Sequence, residues 1–538
     1  MNISGLSGLS TLLSQQQVEQ PKMPLEYELN QLEVGSMMSQ ARFGEVDAQK
    51  TGQMLDNYMM SEEAQKQMNL ISGTAENDVI TSSLNQEDGS ITININGEDH
   101  IYTAEQALNG FKVELGDGND SVDLSAIYTS TLINAGEGDN EISLGSSRNL
   151  VTAGDGNNTI TSKNAFRNSI TTGNGNNHID VTGNTNNINT GSGNDSIVTA
   201  GLNSKINSGD GMDLINTISD ENNIDAGAGN DVIISNGKKD KIYGGDGNDI
   251  IRVGNGDSYI EGGKGDDKIT AGNGNNIIYG LDGKDTIKVG NGNNYIDGGK
   301  GDDNITVGTG KNIVFGGLGD DTIDAQKSSG KVFDDNNGGT INASQNVDVK
   351  RYDSSTNENL GSSVKIAGTD DFSMRVESDL EALKATGSGQ KLLTELDKSG
   401  HTVTIHQTDD NNGGQRPVKS EDYSKQFVTP EGTRGKGTDV EIHYNPSFRG
   451  SEKNTPLNIL FHEGVHAYNG TTGTMQPDTQ RQEDGSNVKK LERQAVGLDV
   501  KDGIEVEHPD GTVTTGNPEG LTENAIKSEI GLEKREIY

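Results

Sequence analysis

The chain has 538 residues, of which 73 are Gly and none is Cys or Trp, and its formal net charge is -39. No stretch approaches the roughly 18 apolar residues that a membrane-spanning helix needs, and a chain without Cys cannot be a disulfide scaffold. The strong negative charge argues against a nucleic-acid partner bound through its phosphates.

The first 114 residues differ from everything that follows. Residues 1–70 begin MNISGLSGLSTLLSQQQ and contain no basic residue before Lys22, so the positive and apolar regions of a Sec signal are missing. They resemble the Ser-rich, uncleaved leaders of type III secreted effectors, which implies a flexible or partly helical secretion leader. A flexible N-terminus with one or two loose amphipathic helices is the alternative. We expect residues 71–114 to form an N-terminal cap on the next domain.

A nine-residue period dominates the middle of the chain. Residues 244–324 divide into nonapeptides such as GGDGNDIIR, GGKGDDKIT and VGNGNNYID, and the eighth position is Ile in every unit except at Val314. The same ladder reaches back to Ile142 and forward to Ile341. Each unit reads as a Gly-rich turn followed by a short strand whose eighth residue points inward, and only stacked neighbours can bury it. We therefore predict a parallel β-solenoid over residues 115–345.

These nonapeptides resemble the RTX (hemolysin-type) calcium-binding repeats, G-G-x-G-x-D-x-U-x, over about two-fifths of the chain. The resemblance implies a right-handed parallel β-roll with two nonapeptides per coil and with calcium bound at its turns.

The sixth position of the repeats alternates with a period of eighteen. One set, here called the Asp edge, comprises Asp195, Asp213, Asp231, Asp249, Asp267, Asp285, Asp303 and Asp321. The other set, the Asn edge, comprises Ser258, Asn276, Asn294 and Asn312. Carboxylates and turn carbonyls suit Ca²⁺, which takes 6–8 oxygen ligands, so we predict several structural calcium ions along the Asp edge and an ion-free amide ladder along the Asn edge.

The first part of the roll keeps the Ile ladder and loses most carboxylates. At the position of the Asp edge it carries Asp120, Asn140, Asn158 and Asn177. We interpret this stretch as a degenerate, ion-poor start of the solenoid.

After the roll the glycine period ends, and apolar residues recur at helix and strand spacings. This pattern predicts one α+β domain with its own core over residues 346–538. Within it stands TPLNILFHEGVHAYNG. Thr455 suits a helix N-cap, Pro456 suits the first turn, and Gly470 predicts the end of the helix.

The H-E-x-x-H motif on this helix predicts a catalytic metal site. His462 and His466 are four residues apart and share one helix face, where two imidazoles can bind one Zn²⁺. Glu463 beside the metal is the candidate general base, which takes the proton of a zinc-activated water and passes it to the leaving amine.

The third zinc ligand decides the class of peptidase. The extended motif H-E-x-x-H-x-x-G-x-x-H is excluded, because Asn469 and Thr472 occupy its Gly and His positions. The downstream segment VKKLERQAVGL has helical character, and its E-x-x-A arrangement resembles that of gluzincins, which implies that Glu492 completes the site. Glu483 and Asp484 are the alternatives.

Two further features of the peptidase stay open. Tyr444, His443 and Arg493 are candidates for the residue that stabilises the tetrahedral oxyanion, and the sequence does not choose among them. The segment VEIHYNP resembles the edge strand on which metallopeptidases pair an extended substrate.

The segments PLNILFHEGVHAY, ERQAVGL and IHYNP together resemble the zinc metallopeptidase effectors that enteric and plant-pathogenic bacteria deliver by type III secretion. The resemblance covers roughly residues 351–538 and implies a secreted endopeptidase, exported by a type III-like or type I route, that cleaves host proteins such as signalling kinases. We expect a monomer with no integral membrane segment. The alternatives are a non-catalytic calcium-binding surface or adhesive protein and a toxin whose roll binds a host receptor.

Overall fold

The computed structural model describes residues 53, 56–57, 59–408, 414–448, 454–477, 479–481, 487–501 and 503–536. Most of the predicted leader and both alternative zinc ligands, Glu483 and Asp484, lie outside this set. The described chain divides into two compact units. The first runs to Gly173 and includes Asp180–Thr185, and the second comprises Asn174–Ile179 and everything from Asn186 onward.

The first unit consists of short strands with two one-turn helices. Its elements are α1 (Glu62–Gln65), β1 (Asn69–Ser72), β2 (Val79–Leu84), β3 (Ile91–Ile95), β4 (Glu98–Tyr102), α2 (Ala104–Ala107), β5 (Phe111–Glu114), β6 (Ser121–Asp123), β7 (Thr131–Asn134), β8 (Glu141–Leu144), β9 (Arg148–Thr152), β10 (Thr159–Ala165) and β11 (Arg167–Thr171). Strands β1, β5, β7, β9 and β11 pair in parallel in that order, as do β2, β6, β8 and β10. An antiparallel β2–β3–β4 meander extends the second sheet.

Strand β12 (His178–Gly183) spans the division between the units, and the second unit continues with nineteen roll strands. They are β13 (Asn187–Asn189), β14 (Ser196–Ala200), β15 (Lys205–Asn207), β16 (Leu214–Thr217), β17 (Asn223–Asp225), β18 (Val232–Ser235), β19 (Lys241–Asp246), β20 (Ile250–Val253), β21 (Tyr259–Lys264), β22 (Lys268–Ala271), β23 (Ile277–Asp282), β24 (Thr286–Val289), β25 (Tyr295–Lys300), β26 (Asn304–Thr306), β27 (Ile313–Leu318), β28 (Thr322–Ala325), β29 (Lys331–Asp335), β30 (Thr340–Ala343) and β31 (Asp348–Tyr352). Odd-numbered strands form one parallel sheet and even-numbered strands form the other.

The register of the roll explains the period of the sequence. Ile251 lies opposite Ile269, and Ile269 opposite Ile287, so that paired residues are eighteen apart and all three side chains are fully buried. One coil therefore contains two nonapeptides. The repeat region is a β-solenoid of about 13 turns, which confirms the predicted fold class.

The C-terminal domain combines helices and strands. Its elements are β32 (Val364–Ala367), α3 (Asp370–Lys384), α4 (Gly387–Lys398), β33 (Val403–Gln407), β34 (Gly414–Pro417), β35 (Val440–Tyr444), α5 (Pro456–Thr472), β36 (Thr479–Arg481), β37 (Asn487–Lys489), α6 (Lys490–Val496), β38 (Val506–Glu507), β39 (Val513–Thr514) and α7 (Glu523–Ile530), with 3-10 turns at Ser354–Asn357 and Ser420–Gln426. The main sheet has the strand order β32-β33-β35-β34, in which only β34 is antiparallel to its neighbour.

The roll of the second unit and the C-terminal domain share one hydrophobic core. Successive coils present a ladder of aromatic rings to helix α3, with centroid separations of 6.1 Å for Tyr259–Tyr279 and 5.7 Å for Tyr279–Tyr295. The shared core includes Tyr259, Tyr279, Tyr295, Phe315 and Phe333 from the roll, and Phe372, Val376, Tyr444, Phe461 and Val465 from the domain. The helix that carries the H-E-x-x-H motif is thus packed in the same core as the last coils of the roll.

Among the described residues, no helix is both long enough and apolar enough to cross a membrane.

Candidate metal centre and calcium edge

Helix α5 positions the two histidines. Thr455 is its N-cap and forms a capping box with Asn458, and Pro456 occupies the first turn as predicted. The predicted end at Gly470 is wrong: the helix continues to Thr472 and ends at Gly473, which has a left-handed φ of 73°. The hydroxyl groups of Thr471 and Thr472 both donate to the carbonyl of Tyr468, so the last turn is held together beyond Gly470.

Helix α6 brings Glu492 to the two histidines. Its residue Ala495 is fully buried and α6 packs against α5. The Nε2 atoms of His462 and His466 are 3.1 Å apart, and Glu492 Oε2 lies 3.4 Å from the first and 3.3 Å from the second. Ligand atoms about 2.0–2.1 Å from a tetrahedral zinc ion lie about 3.3–3.4 Å apart. The three side chains therefore fit three corners of a zinc tetrahedron.

A fourth side chain, Glu523 on α7, fixes the orientation of His462. Its Oε2 lies 2.9 Å from His462 Nδ1, and this carboxylate is almost fully buried. Lys527 and Arg535 lie 3.0 and 3.3 Å from its other oxygen. Although burial opposes it, the hydrogen bond from His462 and these positive charges lower the pKa of Glu523 to about 2. An ionised Glu523 holds the Nδ1 proton of His462 and leaves Nε2 free for a metal.

The electrostatics of the centre favour a cation. Burial alone would lower the pKa of His462, but hydrogen bonds with Glu492 and Glu523 and the charge of Glu463 raise it to about 10. Three carboxylates therefore face a pair of imidazoles that are almost buried. His462 and His466 would hold a dication through their Nε2 atoms, and its charge would satisfy this field.

Glu463 follows His462 on α5 and is mostly buried beside it. Its charge acts on His462, so its carboxylate is close to the centre without being one of the three converging ligand groups. A general base at a metal-bound water has to lie beside the metal ligands without being one of them.

The oxyanion candidates lie in different surroundings. The Tyr444 hydroxyl is fully buried at the start of α5, where it lies 2.9 Å from Asp379 Oδ2 and 3.2 Å from the Pro456 carbonyl. His443 lies on the opposite face of β35 and stacks on His406, with ring centroids 5.4 Å apart. Arg493 Nε donates to the carbonyl of Asp499. Tyr444 is thus engaged away from the metal ligands, and His443 faces away from the core side of the sheet.

The prediction that VEIHYNP forms an edge strand is wrong, because this segment lies inside the sheet. Strand β35 is interior to the sheet, because it pairs in parallel with β33 and antiparallel with β34. The two edge strands are β32 and β34 (Gly414–Pro417), and β34 also packs against α5. Its Gly and Pro residues gave no strand signal in the sequence.

The Asp edge has a repeated hydrogen-bond pattern. The backbone N–H of each aspartate from Asp195 to Asp303 donates to Oδ1 of the aspartate eighteen residues further on, at 2.7–2.8 Å. All eight carboxylates are buried, and among the described residues the Oδ2 atoms accept no hydrogen bond. Buried carboxylate oxygens without a donor are what a bound cation would satisfy.

Glycines line these Oδ2 atoms closely. A Cβ on Gly298 would stand less than 3.0 Å from both Asp303 Oδ2 and the Gly316 carbonyl, and Gly280 has the same surroundings one coil earlier. The coils of Asp249, Asp267, Asp285 and Asp303 therefore pair a carboxylate oxygen that has no donor with a turn carbonyl, which is an all-oxygen donor set suited to Ca²⁺.

The asparagine side chains of the Asn edge donate hydrogen bonds to one another. Asn276 Nδ2 donates to Asn294 Oδ1 at 3.1 Å, and Asn294 Nδ2 donates to Asn312 Oδ1 at 2.9 Å. In the first unit Asn140 and Asn158 make the same contact at 3.0 Å. These side chains thus form an amide ladder, and its freedom from ions stays a prediction.

Sequence reasoning missed Glu523, which lies 61 residues after His462. The only local signal is a Thr-capped helix with Glu in its first turn, which is common to many helices.

Comparison with known families identifies the two regions of the chain in which these candidate sites lie. The RTX calcium-binding nonapeptide repeat model matches residues 130–161, 164–197, 216–251, 225–260, 252–287 and 288–323, and the Peptidase_M91 family, described as an effector protein, matches residues 361–538. No curated protein and no solved structure matched the chain. The chain therefore carries RTX calcium-binding repeats over residues 130–323 and a Peptidase_M91 effector domain over residues 361–538, as its sequence predicted.

Proposed function

We propose that the C-terminal domain is a zinc endopeptidase in which His462, His466 and Glu492 bind the metal. The observation that carries the proposal is the convergence of their three ligand atoms at mutual distances of 3.1–3.4 Å. A zinc ion bound there would lower the pKa of a water molecule and polarise the scissile carbonyl.

The residues of the chain supply the rest of the reaction. Glu463 takes the proton of the attacking water and delivers it to the leaving amine. Glu523 keeps His462 in the tautomer that presents Nε2. Strand β34 stands at one end of the strand order and packs against α5, and an extended substrate segment is proposed to add to it as a further strand.

We infer that the chain is organised into four segments with the predicted boundaries: a leader over 1–70, a cap over 71–114, the roll over 115–345 and the peptidase over 346–538. RTX repeats and effector domains are typical of secreted proteins. The proposed substrate is therefore a host protein, with signalling kinases as the first class to examine.

The proposed role of the roll is calcium-dependent folding. Asp195, Asp213, Asp231, Asp249, Asp267, Asp285, Asp303 and Asp321 each leave one buried oxygen without a donor, and these oxygens are the proposed calcium ligands. Because the roll shares its core with the peptidase, the calcium-bound roll supports the packing of α3 and α5.

The proposal is tested by exposing host lysate to the purified full-length protein and identifying new protein termini by mass spectrometry. Wild type is expected to cleave, whereas Glu463→Gln retains one zinc ion and does not cleave. Glu377→Gln, an exposed change on α3, serves as the matched control and cleaves like wild type. Equal cleavage by Glu463→Gln and wild type would contradict the assignment, and a folded wild type without zinc would favour the non-catalytic alternative.

A further inference from the structure

The last coil of the roll departs from the repeat in one respect. Gly244, Gly262, Gly280, Gly298 and Gly316 occupy equivalent places, eighteen residues apart, and the next residue in this series is Asp334. The Asp edge ends at the same coil, because Gly339 stands eighteen residues after Asp321. A carboxylate thus appears where the earlier coils have a glycine, just where the ladder of aspartates stops.

The earlier coils show what this position faces. A Cβ on Gly262 would meet Asp267 Oδ2 and the carbonyl of Gly280, and a Cβ on Gly298 would meet Asp303 Oδ2 and the carbonyl of Gly316. Each of these places is lined by one carboxylate and one neutral carbonyl.

At Gly316 the neutral carbonyl is replaced by a second carboxylate. A Cβ there would stand 2.5 Å from Asp321 Oδ2 and closer than 3.0 Å to Asp334 Oδ1. Both aspartates are fully buried, and neither of these two oxygens has a hydrogen-bond donor among the described residues. The two oxygens therefore lie close together beside Gly316, near enough for both to bind one Ca²⁺, which keeps about 2.3–2.6 Å from its oxygen ligands.

Neighbouring side chains hold Asp334 in this orientation. Arg351 donates to Asp334 Oδ2 at 3.0 Å and leaves Oδ1 directed towards Asp321. The adjacent Asp335 is engaged elsewhere, since it accepts hydrogen bonds from Asn337 and Ser354. The pair of free oxygens therefore belongs to Asp321 and Asp334 alone.

We propose that Asp321 and Asp334 form a distinct calcium site that closes the roll and binds Ca²⁺ more tightly than the repeated sites of the Asp edge. The reason is charge: two carboxylates face the ion here, against one carboxylate and one carbonyl in the four coils before it, and calcium affinity rises with the number of charged ligands. The inference rests on calcium binding by the roll and is independent of the zinc site.

The site lies where the roll passes into the peptidase domain. Strand β31 pairs with β29, which carries Asp334, and the Tyr352 hydroxyl at its end donates to the carbonyl of Gly317 at 3.3 Å. Tyr352 thereby lies beside the proposed site, and it provides a spectroscopic reporter in a chain that has no Trp.

The first test measures which calcium ion leaves last. Full-length wild type, Asp334→Asn and Asp303→Asn are dialysed against buffers of decreasing free calcium, and bound calcium is counted by mass spectrometry. Wild type and Asp303→Asn are expected to retain about one ion per chain after the others are lost, whereas Asp334→Asn releases this ion at about tenfold higher free calcium or more. Retention of the last ion by Asp334→Asn at the wild-type calcium concentration would overturn the proposal.

A second measurement applies if Asp334→Asn does not fold. Tb³⁺ is added to the calcium-depleted wild type and to Tyr352→Phe, and its emission is excited through tyrosine. The first equivalent of Tb³⁺ is expected to emit strongly in wild type and at least several-fold less in Tyr352→Phe, because the nearby donor is gone. Equal emission from the first equivalent in both proteins would place the tightest site elsewhere and refute the proposal.

Discussion

Arg375 is the buried cation between the roll and the peptidase domain, and its removal should destabilise both. The guanidinium is fully buried on α3, with Nη1 2.6 Å from Asp379 Oδ2 and Nε 3.5 Å from Glu261 Oε1 on the roll. It also lies 3.2 Å above the ring centroid of Tyr279. Asp379 in turn accepts a hydrogen bond from the Tyr444 hydroxyl, which lies at the start of α5.

Replacement by Met keeps most of the side-chain volume and removes the charge. Asp379 and Glu261 then remain buried without a cation, and breaking a buried pair in this way costs about 3–5 kcal/mol. Burial raises the pKa of Glu261 to about 7 while Arg375 lowers it, so the pKa rises further in the variant. Because a raised folded-state pKa favours the protonated folded form, Arg375→Met should lose more stability at pH 8 than at pH 6.

The assay is urea unfolding in saturating calcium, followed by circular dichroism. The matched control is Lys66→Met, which breaks an exposed helical pair with Glu62 and should change the free energy of unfolding by at most about 1 kcal/mol. A triple variant, Arg375→Met with Asp379→Leu and Glu261→Met, should recover most of the loss. A loss below about 1 kcal/mol in Arg375→Met would refute the reasoning that this cluster joins roll and domain.

Three further predictions concern the two metal sites. Glu523→Gln should lower zinc affinity by about 10–100-fold without unfolding the protein, measured by competition with a chelator, and unchanged affinity would mean that Glu523 does not orient His462. In calcium-free buffer the roll should become less stable as pH rises from 6 to 9. Burial raises the pKa of Asp195 and brings those of the seven aspartates from Asp213 to Asp321 to values from about 6 at Asp213 to about 9 at Asp303. The folded state therefore binds more protons than the unfolded state in this range, and the trend should vanish in saturating calcium. Gly298→Ala should remove one calcium ion, because its Cβ would crowd Asp303 Oδ2. The control Gly516→Ala, whose Cβ would meet only Thr514 Oγ1 at 3.8 Å, should leave the calcium content unchanged. Equal calcium content in the two variants would contradict a calcium site between Gly298 and Asp303.

The sequence predicted the roll in detail because its geometry is local and periodic. An Ile at every eighth position of a nonapeptide can be buried only by stacking, and the structure buries Ile251, Ile269 and Ile287 in one column. The alternation of Asp and Asn every eighteen residues likewise follows from two nonapeptides per coil.

The peptidase site was only partly predictable. The spacing of His462 and His466 follows from helical geometry, and Thr455 marks the helix start through its own hydrogen bonds. His462 pairs with Glu523, 61 residues away, and Arg375 pairs with Glu261, 114 residues away. Only the folded chain brings these residues together.

Two local predictions failed for physical reasons. Gly470 does not end α5, because Thr471 and Thr472 bond back to Tyr468 and a left-handed residue comes only at Gly473. An edge of the sheet is β34 and not β35, because a segment with Gly and Pro forms a strand here through its pairing with β35.

The central claim is a catalytic zinc ion held by His462, His466 and Glu492. The most direct measurement is anomalous diffraction from crystals of the full-length protein at energies on either side of the zinc absorption edge. The account predicts one anomalous peak per chain, about 2.0–2.1 Å from the two Nε2 atoms and bonded to the Glu492 carboxylate. A zinc-replete crystal without a peak at these three side chains, or with the peak held by other residues, would contradict it.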